Sequence, residues 1–427
     1  DLLNRPPHEA NVAEQTEHSI NGGGLKFDYF SPNEKHRFNV FASAQHINRD
    51  SYYGGGQDPN AYGNTTDLNW MAGSQYVYSF GKCIFMPADL TAGIEFNQDK
   101  LEDNMWGYHR TVDQKVNIGS AFFQNEWKNE HWGFLIGGRL DKHNLIDHVI
   151  FSPRANLRYN PTENINLRFS YSSGFRAPQA FDEDLHVENV GGNVAMVELA
   201  DNLKEERSQS LSASADIYHR FGAFQVNFLV EGFYTKLSDV FALTDGEIVD
   251  GILTRTRYNA PGARVMGLTL EGKMAYLTKF QVQAGVTLQQ SHYSEPHVWN
   301  KEAPAVKKMM RTPNTYGYFT ATYTPIKPLS IALSGTYTGS MLVPHEPVPG
   351  FLEKPITVNT KDFFDIGLKA AYDFKLYKSM NLQVNAGVQN IFNAYQNDFD
   401  KGADRDSGYI YGPSLPRSFF AGVKISY

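Results

Sequence analysis

Polar and apolar residues alternate along most of this chain. From Asn164 to Ser172 the apolar positions are Ile165, Leu167, Phe169 and Tyr171, each set between polar neighbours. The same pattern recurs at Leu211, Ala213, Ala215 and Ile217, and at Phe224, Val226, Phe228 and Val230. It returns at Phe280, Val282, Ala284, Val286 and Leu288, at Ile366, Leu368, Ala370, Tyr372 and Phe374, and at Leu382, Val384, Ala386 and Val388. Side chains on a strand point to opposite faces in turn, so each segment has one apolar and one polar face. The segments run to about ten residues or more, the length of a membrane-crossing strand, where sandwich strands average about 5–6. Aromatic residues gather at segment ends, as Tyr171 with Phe175 and Phe374 with Tyr377 do, and so suggest interfacial girdles. An all-β, transmembrane antiparallel β-barrel is predicted, and a soluble sandwich is the lesser alternative.

The connections sort by length. Tight ones fall at 31–35, 128–131, 160–163, 220–222, 324–328 and 376–379. Long ones fall at 50–65, 102–112, 177–206, 244–257, 294–308, 344–361 and 396–413. Short and long alternate, as periplasmic turns and extracellular loops do in outer-membrane barrels. About 17 strands can be counted, an odd number, whereas bacterial single-chain barrels have even counts. The first clear strand, near 18–31, and the last, 414–427, both run down from the long-loop side. The expectation is a partial barrel over 1–427 that lacks an N-terminal part.

Composition removes other classes. The net charge of -7 gives no basic stripe, and no nucleic-acid partner is expected. No apolar run is long enough for a transmembrane helix. The single Cys83 excludes an internal disulfide and a Cys-based zinc site. No nucleophile elbow, phosphate loop or His-Glu-x-x-His helix is present, so no enzyme is predicted.

Six segments in order then carry a family likeness. Residues 151–178 read FSPRANLRYNPTENINLRFSYSSGFRAP, and this resembles the mid-barrel signature of TonB-dependent outer-membrane receptors, with its Phe-Arg-Ala-Pro run. Residues 201–208 (DNLKEERS) resemble the Asn-Pro-x-Leu-Lys-Pro-Glu-x-Ser stretch, with Asn202 one position off and the prolines absent. Residues 259–271 (NAPGARVMGLTLE), Met310-Arg311-Thr312-Pro313, Asn390-Ile391-Phe392-Asn393 and the ending from Pro416 match later barrel motifs. The likeness covers roughly Gly137 to Tyr427. It implies a presumed 22-stranded barrel around a plug, with plug and first strands lying outside this sequence. It also implies the Gram-negative outer membrane, outer-membrane lipid as surroundings, and a TonB complex reached through the missing plug. Active uptake of a scarce nutrient follows, such as haem, a ferric siderophore or cobalamin, with a surface lipoprotein as a further partner. A passive porin-like channel and an importer of oligosaccharide or peptide are the rival readings.

Candidate ligand-binding residues lie in the long connections. His186 stands between two motifs where haem-receptor members of the family carry an iron-ligating histidine, and a neutral imidazole suits haem iron. Trp106, His109, His292, His297, Trp299, Met309, Met310 and His345 are candidates for lining an extracellular funnel, aromatic and thioether groups being suited to a flat or bulky chelate. Asp398, Asp400, Asp404 and Asp406 alternate around Gly402, and hard oxygen ligands so spaced suggest calcium in the loop 398–406. Asp182, Glu183 and Asp184 form a second acidic group. The bland reading of each is a solvated side chain on a wet barrel. No cofactor is required.

Overall fold

The computed structural model describes residues 5–108, 110–178, 195–244, 247–249, 252–377, 379–402, 405–406, 408–413 and 415–427. Among them stand twenty-four strands and two single 3-10 turns. In order they are β1 (Val12–Phe30), β2 (His36–Gly55), β3 (Tyr62–Cys83), β4 (Met86–Met105), β5 (Arg110–Lys128), β6 (Trp132–His143), β7 (Ile150–Thr162) and β8 (Ile165–Arg176). There follow β9 (Ala195–Leu199), β10 (Glu206–Phe221), β11 (Phe224–Ser238), β12 (Val240–Leu243), β13 (Glu247–Val249), β14 (Ile252–Ala260), β15 (Ala263–Tyr276) and β16 (Phe280–His297). The last are β17 (Val306–Lys308), β18 (Thr315–Ile326), β19 (Leu329–Thr338), β20 (Leu342–His345), β21 (Ile356–Asn359), β22 (Phe363–Tyr377), β23 (Met380–Gln389) and β24 (Ser418–Ser426).

Seven of these, β9, β12, β13, β14, β17, β20 and β21, belong to the long connections. The other seventeen form one meander in which each strand pairs antiparallel with the next. The count agrees with the seventeen expected. Sixteen antiparallel steps leave β1 and β24 running in the same direction. The sheet curls, because Arg405, in the connection before β24, lies 3.6 Å from Glu14 on β1.

Burial is inverted relative to a soluble protein. Ile94 on β4, Phe123 on β5, Phe169 on β8 and Leu288 on β16 are exposed, each on the apolar face of its strand. The opposite face carries polar ladders such as Thr269 Oγ1 against Thr287 Oγ1 at 3.0 Å and Ser210 Oγ against Thr235 Oγ1 at 2.9 Å. This is a wall with lipid outside and a wet lumen inside. Aromatic rings crowd the tight-turn end: Phe85 stacks on Trp127, and Trp132 stacks on both Phe134 and Tyr159. Several inward rings lie over a glycine directly opposite. A Cβ on Gly73 would meet the Phe41 ring at 2.6 Å, and one on Gly285 would meet Tyr318 at 2.8 Å, so neither position takes a side chain without moving the ring. The lipid face gives a direct test. Ile94→Arg is expected to cost about 2–4 kcal/mol in urea unfolding from lipid vesicles. Gln75→Arg, on the lumen face one pairing step away, is expected to be nearly neutral.

Two expected loops are corrected. Residues 50–65 and 102–112 are mostly strand, because β2 and β4 each run 20 residues and β3 runs 22. A crossing needs only about 9–11. These hairpins therefore rise beyond the lipid band, and there consecutive residues on both faces, such as Ser51, Tyr52 and Tyr53, are buried in the protein. The ladder continues there, but alternation is no longer enforced and the sequence signal fades. The buried apolar clusters also lie at this end: Tyr53 with Met105; Ile146, Ile150 and Ala177; and Met341, Val343 and Tyr409.

Candidate ligand-binding loops

Three long connections lock together at the extracellular end. The one between β19 and β22 folds into the β20–β21 hairpin, with Leu342 opposite Asn359 and His345 opposite Ile356. Its base is closed by Met341 N donating to Thr360 Oγ1 at 3.0 Å and Thr360 N to the Met341 carbonyl at 2.9 Å. Among the described residues the connection between β23 and β24 has no strand of its own. It is held by buried side chains: Gln396 donates to the Tyr409 carbonyl at 3.0 Å and accepts from Tyr411 N at 2.8 Å and Gly412 N at 3.2 Å, and Asn390 donates to the Ala394 and Leu415 carbonyls, each at 3.1 Å. An irregular segment can be ordered only if its backbone groups find such partners.

His345 joins the two. It is 5% exposed, its Nε2 is 2.9 Å from Asp400 Oδ2, and its ring stacks on Tyr409 at 3.8 Å with planes 8° apart. Asp400 Oδ2 also accepts from Asp406 N at 3.1 Å. Asp406 in turn accepts from Glu346 N and Gly408 N, each at 2.8 Å. Tyr411 donates its hydroxyl to Asp398 at 2.7 and 2.6 Å. Burial, and then that carboxylate, push the Tyr411 phenol far above its ordinary value, so it remains a donor. The β16–β18 connection completes the assembly. Asn300 Nδ2 donates to Glu346 Oε2 at 2.9 Å, and Arg311 N to the Leu342 carbonyl at 2.7 Å. The Arg311 guanidinium reaches the Ile410 carbonyl at 2.7 Å and the Gly408 carbonyl.

His345, Asp398, Asp400 and Asp406 are thus brought together. Met310 adjoins the bridging Arg311, and Met309 is half-buried, its N donating to the Ser291 carbonyl at 3.1 Å. His297 is half-buried with its ring 4.8 Å from Tyr293, and burial lowers its pKa, so it is neutral at pH 7. Trp299 is half-buried, with its Nε1 shielded and unpartnered among the described residues. Trp106 stands exposed at the tip of the β4–β5 hairpin and shares none of the contacts above. His292 differs from the funnel expectation: pairing with Arg264 and Lys308 puts it on the outer face of the sheet, the face of Leu288. His186, His109, Asp404, Asp182, Glu183 and Asp184 lie outside the described residues. Among the described residues no three His, Cys, Asp or Glu side chains gather to hold a metal. Asp398, Asp400 and Asp406 are each engaged in the loop hydrogen bonds above.

Sequence reasoning missed Arg311, Gln396, Tyr409 and Tyr411 as organisers of this end. Arg311 sits in a quoted motif, but its partners are 97 and 99 residues away. Its φ of 55°, in the left-handed region, turns the chain there and has no mark in the residue type.

A family model described as TonB dependent receptor-like, beta-barrel, matches residues 7–391. No curated protein matches the chain by sequence. Solved structures of similar shape include the siderophore receptor PirA from Acinetobacter baumannii, at 15% identity and a TM-score of 0.70, the match covering 96% of this chain and 62% of that one. A mutant of the ferric enterobactin receptor PfeA from Pseudomonas aeruginosa matches at 17% identity and 0.71, covering 96% and 61%. The ferric-catecholate import receptor Fiu from Escherichia coli matches at 14% identity and 0.69, covering 96% and 64%. The chain spans less than two thirds of the length of each of these structures.

Proposed function

The chain belongs to the TonB-dependent receptor-like β-barrel family of the Gram-negative outer membrane, and from that premise we propose that it is the barrel portion of a receptor for active uptake of a ferric chelate. The observation that carries this reading is the interlocked extracellular end, in which three connections form one rim over a polar lumen. The printed names of similar structures, a siderophore receptor, a ferric enterobactin receptor and a ferric-catecholate import receptor, favour an iron chelate over cobalamin. Trp106 and the half-buried Met309 and Met310 offer polarisable surface to such a ligand, and the exposed Lys307 offers charge to an anionic catecholate. Coupling to TonB would run through a plug outside this sequence.

The test is titration of the full-length receptor with a ferric tris-catecholate, ferric citrate, haemin and cyanocobalamin, followed by uptake with and without TonB. Saturable binding of a ferric chelate that survives His186→Ala, with TonB-dependent uptake, is expected. A haemin Soret shift abolished by His186→Ala, with no ferric chelate bound, would move the reading to haem. Uptake independent of TonB would return it to a passive pore.

A further inference from the structure

The extracellular end carries an unfinished sheet. β5 pairs with β4 up to Arg110, opposite Met105, with no register shift. β6 joins β5 only from Ile118, opposite His143, downwards. Residues 110–117 therefore rise above β6 with one edge that meets no strand among the described residues. Counted up from the tight turn after Lys128, a crossing of about 9–11 residues ends near Asn117, so this edge stands above the lipid.

Its lowest residue shows which groups the edge presents. Asn117 N donates to Asn144 Oδ1 at 2.9 Å, and Asn144 N donates to the Asn117 carbonyl at 3.1 Å. Alternate residues of a strand aim their backbone groups to the same side, so Thr111, Asp113 and Lys115 aim theirs the same way. Asn144 Nδ2 reaches the Lys115 carbonyl at 2.7 Å. One residue of the β6–β7 connection thus stands in for a strand at the foot of the edge. The rest, Thr111, Asp113 and the Lys115 N–H, has no such partner among the described residues. Natural sheets blunt a free edge with proline, a bulge or a cover. Residues 110–117 (RTVDQKVN) hold neither proline nor bulge.

The side chains add a charge pattern. Thr111, Asp113 and Lys115 are exposed on the outer face, the face of Phe123, while Gln114 and Val116 are buried on the inner one. Across to β4, Asp113 is opposite Glu102 and Lys115 is opposite Lys100, like charge against like. Lys100 and Glu102 pair with each other at 2.6 Å. Among the described residues Asp113 and Lys115 are in no ion pair. Like charges directly opposite destabilise a sheet, and opposite charges stabilise it. A strand on the free side, acidic beside Lys115 and basic beside Asp113, would offset the mismatch.

We propose that the upper edge of β5 docks an extended peptide segment of an extracellular protein by strand addition. The segment runs antiparallel to β5, as β6 does below. Read from its N-terminus, it places an apolar residue beside Val116, an acidic one beside Lys115, a small polar one beside Gln114, a basic one beside Asp113 and an apolar one beside Val112. Main-chain bonds to Asp113 and Lys115 give affinity, and the two charges fix direction and register. This surface shares no residue with the three interlocked connections, so it stands apart from the chelate reading.

The test uses the full-length receptor in non-ionic detergent and the fluorophore-labelled peptide Val-Asp-Ser-Lys-Val-Thr, acetylated and amidated, followed by anisotropy. Saturable binding is expected, with slowed hydrogen exchange at the Asp113 and Lys115 amides. N-methylation of the peptide's Asp and Lys amides, which face β5, removes two hydrogen bonds and should lose about thirtyfold in affinity. N-methylation of its Ser and second Val amides, which face away, should leave binding nearly unchanged. Exchanging Asp and Lys within the peptide should lose about tenfold. Asp113→Pro removes an N–H that β4 does not use, so the barrel should remain intact and the peptide should no longer bind. Should that variant fail to assemble, the two N-methylated peptides decide the matter on the unaltered receptor. Equal binding of those two peptides, or no saturable binding of the parent, would overturn the proposal. Equal binding of the charge-exchanged peptide would overturn the assigned partner chemistry. Receptor self-association that Asp113→Pro abolishes, with no peptide bound, would overturn the partner assignment and make the occupant a second copy of this chain.

Discussion

Arg139→Ala is expected to destabilise the barrel wall by about 3 kcal/mol. Arg139 lies on the lumen face of β6. Its guanidinium donates to Glu95 Oε1 at 2.8 Å, Asp141 Oδ1 at 2.8 Å and Ser120 Oγ at 2.7 Å, while Ser120 Oγ donates to Asp141 Oδ1 at 2.6 Å. Glu95 is opposite Ser120 and Ser120 opposite Asp141, so three strands meet at one cation. Asp141 is only 2% exposed. Without Arg139 it remains a buried carboxylate with a second carboxylate nearby. Losing one partner of a buried pair costs about 3–5 kcal/mol, and the lower end applies because Arg139 and Glu95 keep some access to water. Urea unfolding of the full-length protein in vesicles measures this. Arg139→Ala combined with Asp141→Asn should recover part of the loss, because it removes the stranded charge. Arg139→Lys should fall between, since an ammonium cannot reproduce the forked contacts. A single Arg139→Ala within about 0.5 kcal/mol of wild type would mean that water already solvates these carboxylates.

This network marks how far the sequence could be read. Strand existence was legible wherever lipid met one face: around Phe169, Leu288 and Leu368 a side chain must be apolar on one side and polar on the other. The number of staves followed from that and from the alternation of short and long connections. Above the lipid band the constraint lapses, and the upper ends of β2 to β5, at 50–55, 62–65, 102–105 and 110–112, read as loop although their ladders are unbroken. Arg139, Glu95 and Asp141 were visible only as polar residues on polar faces. Their meeting depends on the stagger of three strands, which no local pattern encodes.

The extracellular end was legible in residue type and illegible in partnership. His345 was singled out as a ligand contact, and the alternating aspartates as a cation loop. In the fold Asp400 faces His345, 55 residues away, and Asp406 caps the backbone of Glu346 and Gly408. Carboxylates at alternate positions serve backbone amides as readily as they serve a cation, and spacing alone does not distinguish the two uses. The outer face repeats the lesson. His292 looked like a funnel residue by its loop-proximal position, yet strand parity turns it outward into the row with Arg264 and Lys308.

His345→Ala is expected to open the extracellular end, with an effect close to that of Arg139→Ala at the wall. The substitution removes a ring stacked at 3.8 Å on Tyr409 and leaves Asp400, among the described residues, with the Asp406 amide. A lost stack costs about 0.5–1.5 kcal/mol, and a buried acceptor losing a partner about 1–3 kcal/mol. Together these give about 3 kcal/mol, localised where two connections meet. Hydrogen exchange should therefore quicken by about a hundredfold at the amides of Glu346, Asp406 and Tyr411, and stay unchanged in β4 and β5. His345→Gln keeps a donor towards Asp400 but loses the aromatic stack, so it should open the loops less. The same pair of variants separates two roles for the histidine. If His345 only clamps the loops, ligand affinity should fall in proportion to loop opening, and His345→Gln should retain most of it. If it touches the ligand directly, both variants should lose affinity equally whatever the exchange rates. Its 5% exposure and its engagement with Asp400 and Tyr409 favour the clamp.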